Sequence, residues 1–564
     1  MREPGGVTER KSGAEMSVFK AAAEVLRSQR PPRNARLREA EKGLADNQVQ
    51  EAHTTLGRFL EKHPDDPIAL NLTAVAALRL DRKDEAETLL ARCIALDPDF
   101  VAARYEYANL LFQLNQPGPA LAEVEKLLRR EPDNPLFRHL QAVVLTATGN
   151  HSGALQCYRG MAEQFPCSSE ICILYGAALR SVGFREECVA AYRKAIELRP
   201  AAGEAYWSLA GLKTYRFSET EIVQMQTQLA RSDLSAEDRM YFHFALGGAL
   251  GDRGRYDKSF ENYARGNAIK RLDIDYDSNS LTKHVRACKA LMTADFFGGS
   301  QGEGGCMAAG PIFIVGMQRA GSTLVEQILA NHSAIEATAE LPNISLLAEH
   351  IGEKIAVERG SQYPEILAKL DDATLRKFGA DYIEHTGFRR KLGRPFFTDK
   401  MPYNFLHLGL ILLILPKAKI IDARRHPLGC CFSNFAMHFK SGPLFGYRLT
   451  ELGHAYAGYV ELMAHFDRVL PARVHRIFYE DLVQSPEREI RRLFDYLDLP
   501  FESACLEFHR SHRAMDSASS EQVRKPIYAE AADHWRHYEQ WLGPLKTALG
   551  QILELYPAVP EFRV

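Results

Sequence analysis

The stretch IFIVGMQRAGSTLVEQILANH, residues 312–332, carries the spacing best suited in this chain to holding an anion. Gly316 and Gly321 have the G-x-x-x-x-G interval of a phosphate loop. An apolar, β-branched run precedes them and a segment of helical spacing follows. In that strand–loop–helix layout, amides at a helix start meet phosphate oxygens. An NTPase places Lys after the second glycine. Here Ser322 and Thr323 follow instead, and the cation lies inside the loop at Arg319. Transfer of a γ-phosphoryl group needs that lysine and a magnesium-binding carboxylate. This loop can hold one phosphate through amides, two hydroxyls and a guanidinium, and is ill equipped for a triphosphate.

A second landmark is AKIIDARRHPLGCCFSNFAMHF. Lys419 to Ala423 predicts a buried strand. Arg424, Arg425 and His426 follow at its carboxyl end, where ligands bind in open α/β sheets. Pro427 suits the first turn of the next helix. Ser433 comes eight residues after Arg425, about two helical turns on, so both can reach one phosphate. Taken alone, each arginine reads more simply as a surface ion pair. The run LPKAKIID, ending at Asp422, could mimic the metal-binding strand of an NTPase or kinase. The missing loop lysine weighs against that reading.

Together these motifs resemble the sulfotransferase family, over residues 311 to about 550. The resemblance implies 3′-phosphoadenosine-5′-phosphosulfate as donor co-substrate, with no metal. QRAGSTL is similar to the family's 5′-phosphosulfate loop, which implies donor contacts from Arg319, Ala320, Gly321, Ser322, Thr323 and Leu324. Arg425 and Ser433 are similar to its 3′-phosphate site. The nearest likeness is to tyrosylprotein sulfotransferases and to bacterial relatives that carry tetratricopeptide repeats in front. It implies Glu340 in ATAELPN, 21 residues after Arg319, as catalytic base. It further implies Lys400 in TDKMPYN at the departing sulfate bridge, Tyr479 in RIFYEDL near the adenosine, and Ser519 in the tail at the 3′-phosphate. Lys525 and His534 are other tail candidates for donor contact. Three positions depart from the pattern: Ala320 replaces a Ser, Pro342 an acceptor-contacting Arg, and His534 a Lys or Arg. The acceptor stays open between a peptide tyrosine, a sugar and a small molecule.

Sulfuryl transfer moves SO3 in line between oxygens through a loose transition state, so positioning and charge dominate. Glu340 is the candidate base, and Lys400 and Arg319 are the candidate cations. Without the family spacing, Glu340 reads as a solvated helix-start carboxylate and Lys400 as a surface charge. His332 is a second candidate base, more simply read as a structural histidine. An inactive nucleotide-binding domain on a repeat scaffold, or a kinase-like enzyme, are the alternatives.

The elements that carry these residues occupy the second half of the chain. In the first half, Pro64, Pro98, Pro132, Pro166 and Pro200 recur every 34 residues. A small residue precedes each by twelve: Ala52, Ala86, Ala120, Ala154 and Cys188. That period is the tetratricopeptide helix–turn–helix repeat: the small residue lets two helices approach, and the proline ends the second. About seven hairpins over 35–272 are expected, with a degenerate unit at 205–238. GGSQGEGGCMAAG, with six glycines in thirteen residues, predicts a linker. The expected order is a tail or partial helix at 1–34, a solenoid at 35–297, a linker at 298–310 and a sulfotransferase domain at 311–564. The fold class is therefore an α-helical solenoid followed by a P-loop-like α/β domain with a mainly parallel sheet. The repeats are expected to select the acceptor, a protein or peptide partner.

Composition adds exclusions. The chain has 564 residues, too many for one core. Lys and Arg (70) balance Asp and Glu (72), which argues against a nucleic-acid coat. Ten cysteines without a C-x-x-C pair support neither a zinc ribbon nor a disulfide framework, and fit a reducing, cytoplasmic compartment. The longest apolar run, Leu408 to Leu415, is far short of the roughly 20 residues of a membrane span and predicts a buried helix.

Overall fold

The computed structural model describes residues 17–298, 304–439, 442, 444–510 and 530–562. By packing, the chain forms two compact units, Met1–Leu198 and Arg199–Val564. The first holds a helix at Val18–Ser28 and then five helical hairpins, from Ala35–Ala45 with Val49–Leu60 to Ser169–Val182 with Arg185–Leu198. Each periodic proline stands just past a second helix. Ala52, Ala86, Ala120, Ala154 and Cys188 each occupy the fourth residue of one, at 3% exposure or less. A further 34-residue period lies in the turns. Asn47, Asp81, Asn115, Gly149 and Gly183 all have φ between +57° and +98°, where only Gly, Asn and Asp sit at little cost.

The second unit contains a five-stranded, all-parallel sheet: β1 (Pro311–Gly316), β2 (Ile335–Ala337), β3 (Phe396–Asp399), β4 (Lys419–Arg424) and β5 (Val474–Phe478), in the order β2-β3-β1-β4-β5. Strand β1 is buried along its whole length. Its alternate side chains enter two separate cores, as period-two geometry requires. Ile312 and Ile314 pack with Val325, Ile328, Leu493 and Phe494, whereas Phe313 and Val315 pack with Phe397, Ile420 and the helix Leu408–Ile414. That helix is the apolar run of the sequence, fully buried. Among the described residues no helix is long and apolar enough to cross a membrane.

Two more helix pairs, Gly203–Gly211 with Glu219–Leu229 and Ala236–Gly251 with Tyr256–Leu272, belong to this second unit, as does Ser280–Leu291. The boundary between compact units thus lies a hundred residues ahead of the glycine-rich stretch. The reason is what these helices bury. Met240, Tyr241, Phe244, Tyr263, Val285, Cys288 and Met292 share one apolar core with the sheet and with the helix Leu449–Val469. Asn267 Nδ2 donates to the Phe435 carbonyl at 2.8 Å, Arg271 pairs with Glu451 at 3.0 Å and Lys289 with Glu461 at 2.7 Å.

A fragment starting at Gly310 is therefore expected to be insoluble or molten. It loses seven core side chains worth about 1.5–3 kcal/mol each for the larger ones, comparable with a domain's net stability of about 5–15 kcal/mol. A fragment starting at Arg199 keeps them and is expected to unfold cooperatively. Thermal melts of both, followed by circular dichroism, check this.

Candidate active site

All the strands run the same way, so the residues that follow them gather on one edge of the sheet. The loop Met317–Gly321 follows β1, Glu340 follows β2, Lys400 follows β3, Arg425 follows β4 and Tyr479 follows β5. At the end of β1, Gly316 has a φ of +137°, and a Cβ there would sit 2.4 Å from the carbonyl oxygen of Ala423, its partner on β4. Gly321, at φ +98°, caps the helix Ser322–Ala330, and a Cβ on it would lie 2.8 Å from the Tyr479 ring. Ser322 and Thr323 are buried at the helix start. The Leu324 amide donates to the Gly321 carbonyl at 2.9 Å, and the Ala320 amide to the Met317 carbonyl at 3.2 Å. The Leu324 side chain lies in the apolar core. Amides for an anion therefore come from Gly321, Ser322 and Thr323, the unpaired start of the helix.

Arg319 adopts φ +65°, uncommon for a residue with a side chain. Its surroundings hold it there. Arg319 Nε donates to Ser433 Oγ at 3.0 Å, and Arg425 Nη1 to the Arg319 carbonyl at 3.3 Å. The neighbouring Gln318 carbonyl accepts from Asn434 Nδ2 at 2.7 Å and from the Cys430 thiol at 3.1 Å. Burial pushes that thiol up to about 12, so it serves as a donor and not as a nucleophile. The helix Pro427–Phe435, with Pro427 in its first turn, thus fastens the loop through Cys430, Ser433 and Asn434. Arg425, itself buried, lies over the Tyr479 ring with 4.8 Å from guanidinium carbon to centroid. The loop and the strand-end arginine, 106 residues apart in the chain, form one cationic pocket.

On the other side of β1, Lys400 Nζ donates to the Glu340 carboxylate. Lys400 is 2% exposed, whereas the Glu340 side chain is 44% exposed. The Lys400 amide donates to the Ala339 carbonyl at 3.2 Å, tying the two strand ends together. Asp399 precedes Lys400. Burial pushes its carboxyl up to about 8, against the Tyr382 hydroxyl that donates to it at 2.8 Å. A neutral Asp399 leaves the charge of Lys400 uncompensated from that side. The Tyr403 hydroxyl is buried without a hydrogen-bond partner among the described residues, and Glu340 is among the charges acting on it.

Other candidates have structural tasks. The His332 ring is 1% exposed, donates from Nε2 to the Pro500 carbonyl at 2.9 Å and accepts the Ala334 amide at Nδ1. Asp422 is fully buried and pairs with Arg424 at 2.9 Å, Arg476 at 2.8 Å and the Tyr459 hydroxyl. Burial alone would raise its pKa, but the two guanidiniums and the phenol outweigh it and hold the carboxyl below its usual range. With its oxygens so committed, Asp422 is a poor magnesium ligand. Ser519 and Lys525 lie outside the described residues. Asn434, Cys430 and Tyr403 carry no signal in the sequence that marks them as part of the site. The helical run after Pro427 placed Ser433 but offered nothing to mark the residue beside it.

Residues 311–503 match the profile described as Sulfotransferase family, and residues 37–100, 84–144 and 169–201 match tetratricopeptide-repeat profiles. An uncharacterized protein of Aquifex aeolicus is 27% identical over 515 residues, covering 88% of this chain and 67% of its own length. A putative protein-tyrosine sulfotransferase of Caenorhabditis briggsae is 26% identical over 235 residues, covering 40% of this chain and 80% of its own. Among solved structures, the sulfotransferase domain of the Synechococcus PCC 7002 olefin synthase aligns with a TM-score of 0.33 at 20% identity, over 45% of this chain and 97% of that one.

Gly316→Ala is expected to cost about 1–3 kcal/mol of stability, from backbone strain and the Ala423 clash, and to lower anion binding with it. Urea unfolding of the variant checks the first effect, and nucleotide titration the second.

Proposed function

We propose, for a chain whose residues 311–503 match the sulfotransferase family, that it moves a sulfuryl group from 3′-phosphoadenosine-5′-phosphosulfate to an acceptor hydroxyl. The observation that carries this reading is the Glu340–Lys400 pair, set on the same sheet edge as a phosphate loop with no lysine after its second glycine. The helix start at Ser322 and the Arg319 guanidinium suit the 5′-phosphosulfate, and Arg425 with Ser433 suits the 3′-phosphate. Tyr479, under Arg425, offers a face to the adenosine. With donor bound, the acceptor hydroxyl attacks sulfur in line. Its oxygen–sulfur bond forms as the bond from sulfur to the phosphate oxygen breaks, and the electron pair stays on that oxygen. Glu340 takes the hydroxyl proton. Lys400, released from Glu340, meets the charge on the departing oxygen. The acceptor in this reading is held on a protein or peptide partner by the repeats. The repeat matches and the protein-tyrosine sulfotransferase relative support this assignment.

Isothermal titration tests the donor. The expected result is tight binding of 3′,5′-adenosine bisphosphate without magnesium and much weaker binding of ATP. Comparable ATP affinity, or a magnesium requirement, would falsify the reading. Arg425→Ala should weaken the bisphosphate by roughly 1.5–3 kcal/mol, the worth of a charge-assisted hydrogen bond, and have a much smaller effect on 5′-AMP.

The base is tested by rate. Glu340→Gln preserves shape and removes proton acceptance, so turnover should fall by roughly 10²–10⁴ with donor affinity little changed. The acidic limb of the pH–rate profile should flatten in this variant and persist in Lys400→Met, whose rate falls through lost charge stabilisation. Near-normal turnover and an intact acidic limb in Glu340→Gln would move the base elsewhere.

A further inference from the structure

Lys213 lies in the turn between the helices Gly203–Gly211 and Glu219–Leu229, in the second compact unit. Three features set it apart. Its φ is +49°, the left-handed conformation common just past a helix end but unusual for a lysine. It is half-buried. Its ammonium has no hydrogen bond or ion pair among the described residues, and the cations Arg319 and Arg216 both act on it. Asp252, the carboxylate that attracts it, is shared with Arg216, which it meets at 3.1 Å. Burial, followed by the Arg319 charge, pushes the lysine down to about 8. A half-buried ammonium beside another cation carries an electrostatic cost that an anion between them would remove.

The neighbours identify where that anion sits. Lys213 acts on His534 as well as Arg319, and His534 also feels Arg425. Burial, followed by the charges of His537, Lys213 and Arg425, pushes His534 down to about 4, so its ring is neutral and not a competing charge. The His534 ring lies 6.4 Å from that of Phe432, the residue before Ser433. Arg319 in turn is bonded to Ser433 at 3.0 Å. Packing places the turn at the same spot: Arg216 donates to the Lys213 carbonyl at 2.7 Å and pairs with Asp252 at 3.1 Å, Asp252 follows Gly251, where a Cβ would lie 2.6 Å from the Tyr538 hydroxyl, and the Tyr538 ring stands 4.2 Å from that of Phe432, next to Ser433. The turn that carries Lys213 thus borders the pocket assigned above to the 3′-phosphate. We infer that Lys213, supplied by the helical hairpins ahead of the α/β region, is a donor-binding residue that contacts the ribose 3′-phosphate. The inference rests on the proposed donor. It makes the last hairpins part of the binding site as well as of the core.

The test uses the full chain and two commercial nucleotides, 3′,5′-adenosine bisphosphate and 5′-AMP. Lys213→Met is expected to lose about 10- to 100-fold in bisphosphate affinity and less than about two-fold for 5′-AMP, the pattern of a lost charged contact to the 3′ group. Lys213→Arg is expected to keep most of the bisphosphate affinity. Removing an unpaired ammonium should also leave the ligand-free melting temperature of Lys213→Met unchanged or raised, an effect that loss of a structural residue does not produce. Equal bisphosphate affinity in wild type and Lys213→Met overturns the inference while leaving the donor reading intact. Equal losses for both nucleotides, or a lowered ligand-free melting temperature with Lys213→Arg no better than Lys213→Met, also overturn it. A wild-type chain that binds no bisphosphate overturns the donor reading and the inference together.

Discussion

The contact between Gly316 and the Ala423 carbonyl governs the site. Strand β1 is central and buried on both faces, and its last residue approaches β4 more closely than any Cβ allows. That approach lets the chain leave the sheet as a tight loop lying between β1 and β4, so the helix that follows presents its amides over the strand ends. The loop carries a second constraint, the left-handed Arg319, held by groups from the helix after β4. Two neighbouring strands and the helices that follow them thus hold the loop between them. They do so through buried hydrogen bonds to loop carbonyls, which are costly to leave unmade.

Charge is divided across β1. On the β4 side lie the guanidiniums of Arg319 and Arg425, joined through the loop carbonyl and Ser433. On the β3 side Lys400 faces the Glu340 carboxylate. Asp422, the acidic residue nearest the phosphate side in sequence, is withdrawn into a buried network with Arg424, Arg476 and Tyr459. A buried pair of this kind costs desolvation and adds little net stability. Here it withdraws a negative charge from the sheet edge that carries Arg319 and Arg425, and it fixes the strand end from which Arg425 projects.

The helical hairpins follow one local pattern and reach two fates. Through Leu198 they bury their small residues against one another, as stacked repeats do. Beyond it, the same hairpin geometry turns Tyr241, Phe244 and Tyr263 into the core beneath the sheet. These hairpins keep the helix–turn–helix pattern and form a wall of the α/β unit. Their place in this core is why the charge of a helix–helix turn residue, Lys213, acts on Arg319 of the loop after β1.

The local features were all legible in the sequence. A 34-residue period, a strand–glycine–helix transition and a proline opening a helix depend on neighbours a few residues away, and backbone sterics translate them directly into structure. Arg319, Arg425, Ser433, Glu340 and Lys400 could be named from such signals together with a family likeness. Tertiary structure decided what those signals could not carry. The ion pair of Lys400 with Glu340 spans 60 residues, the Asn434 contact to Gln318 spans 116, and the commitment of Asp422 depends on Arg476, 54 residues on. The membership of the last hairpins in the second core depends on contacts with residues more than a hundred positions away, such as that of Asn267 with Phe435. A periodic pattern states which face of a helix is apolar. It does not state what will cover that face, because the partner is chosen by the packing of the whole unit.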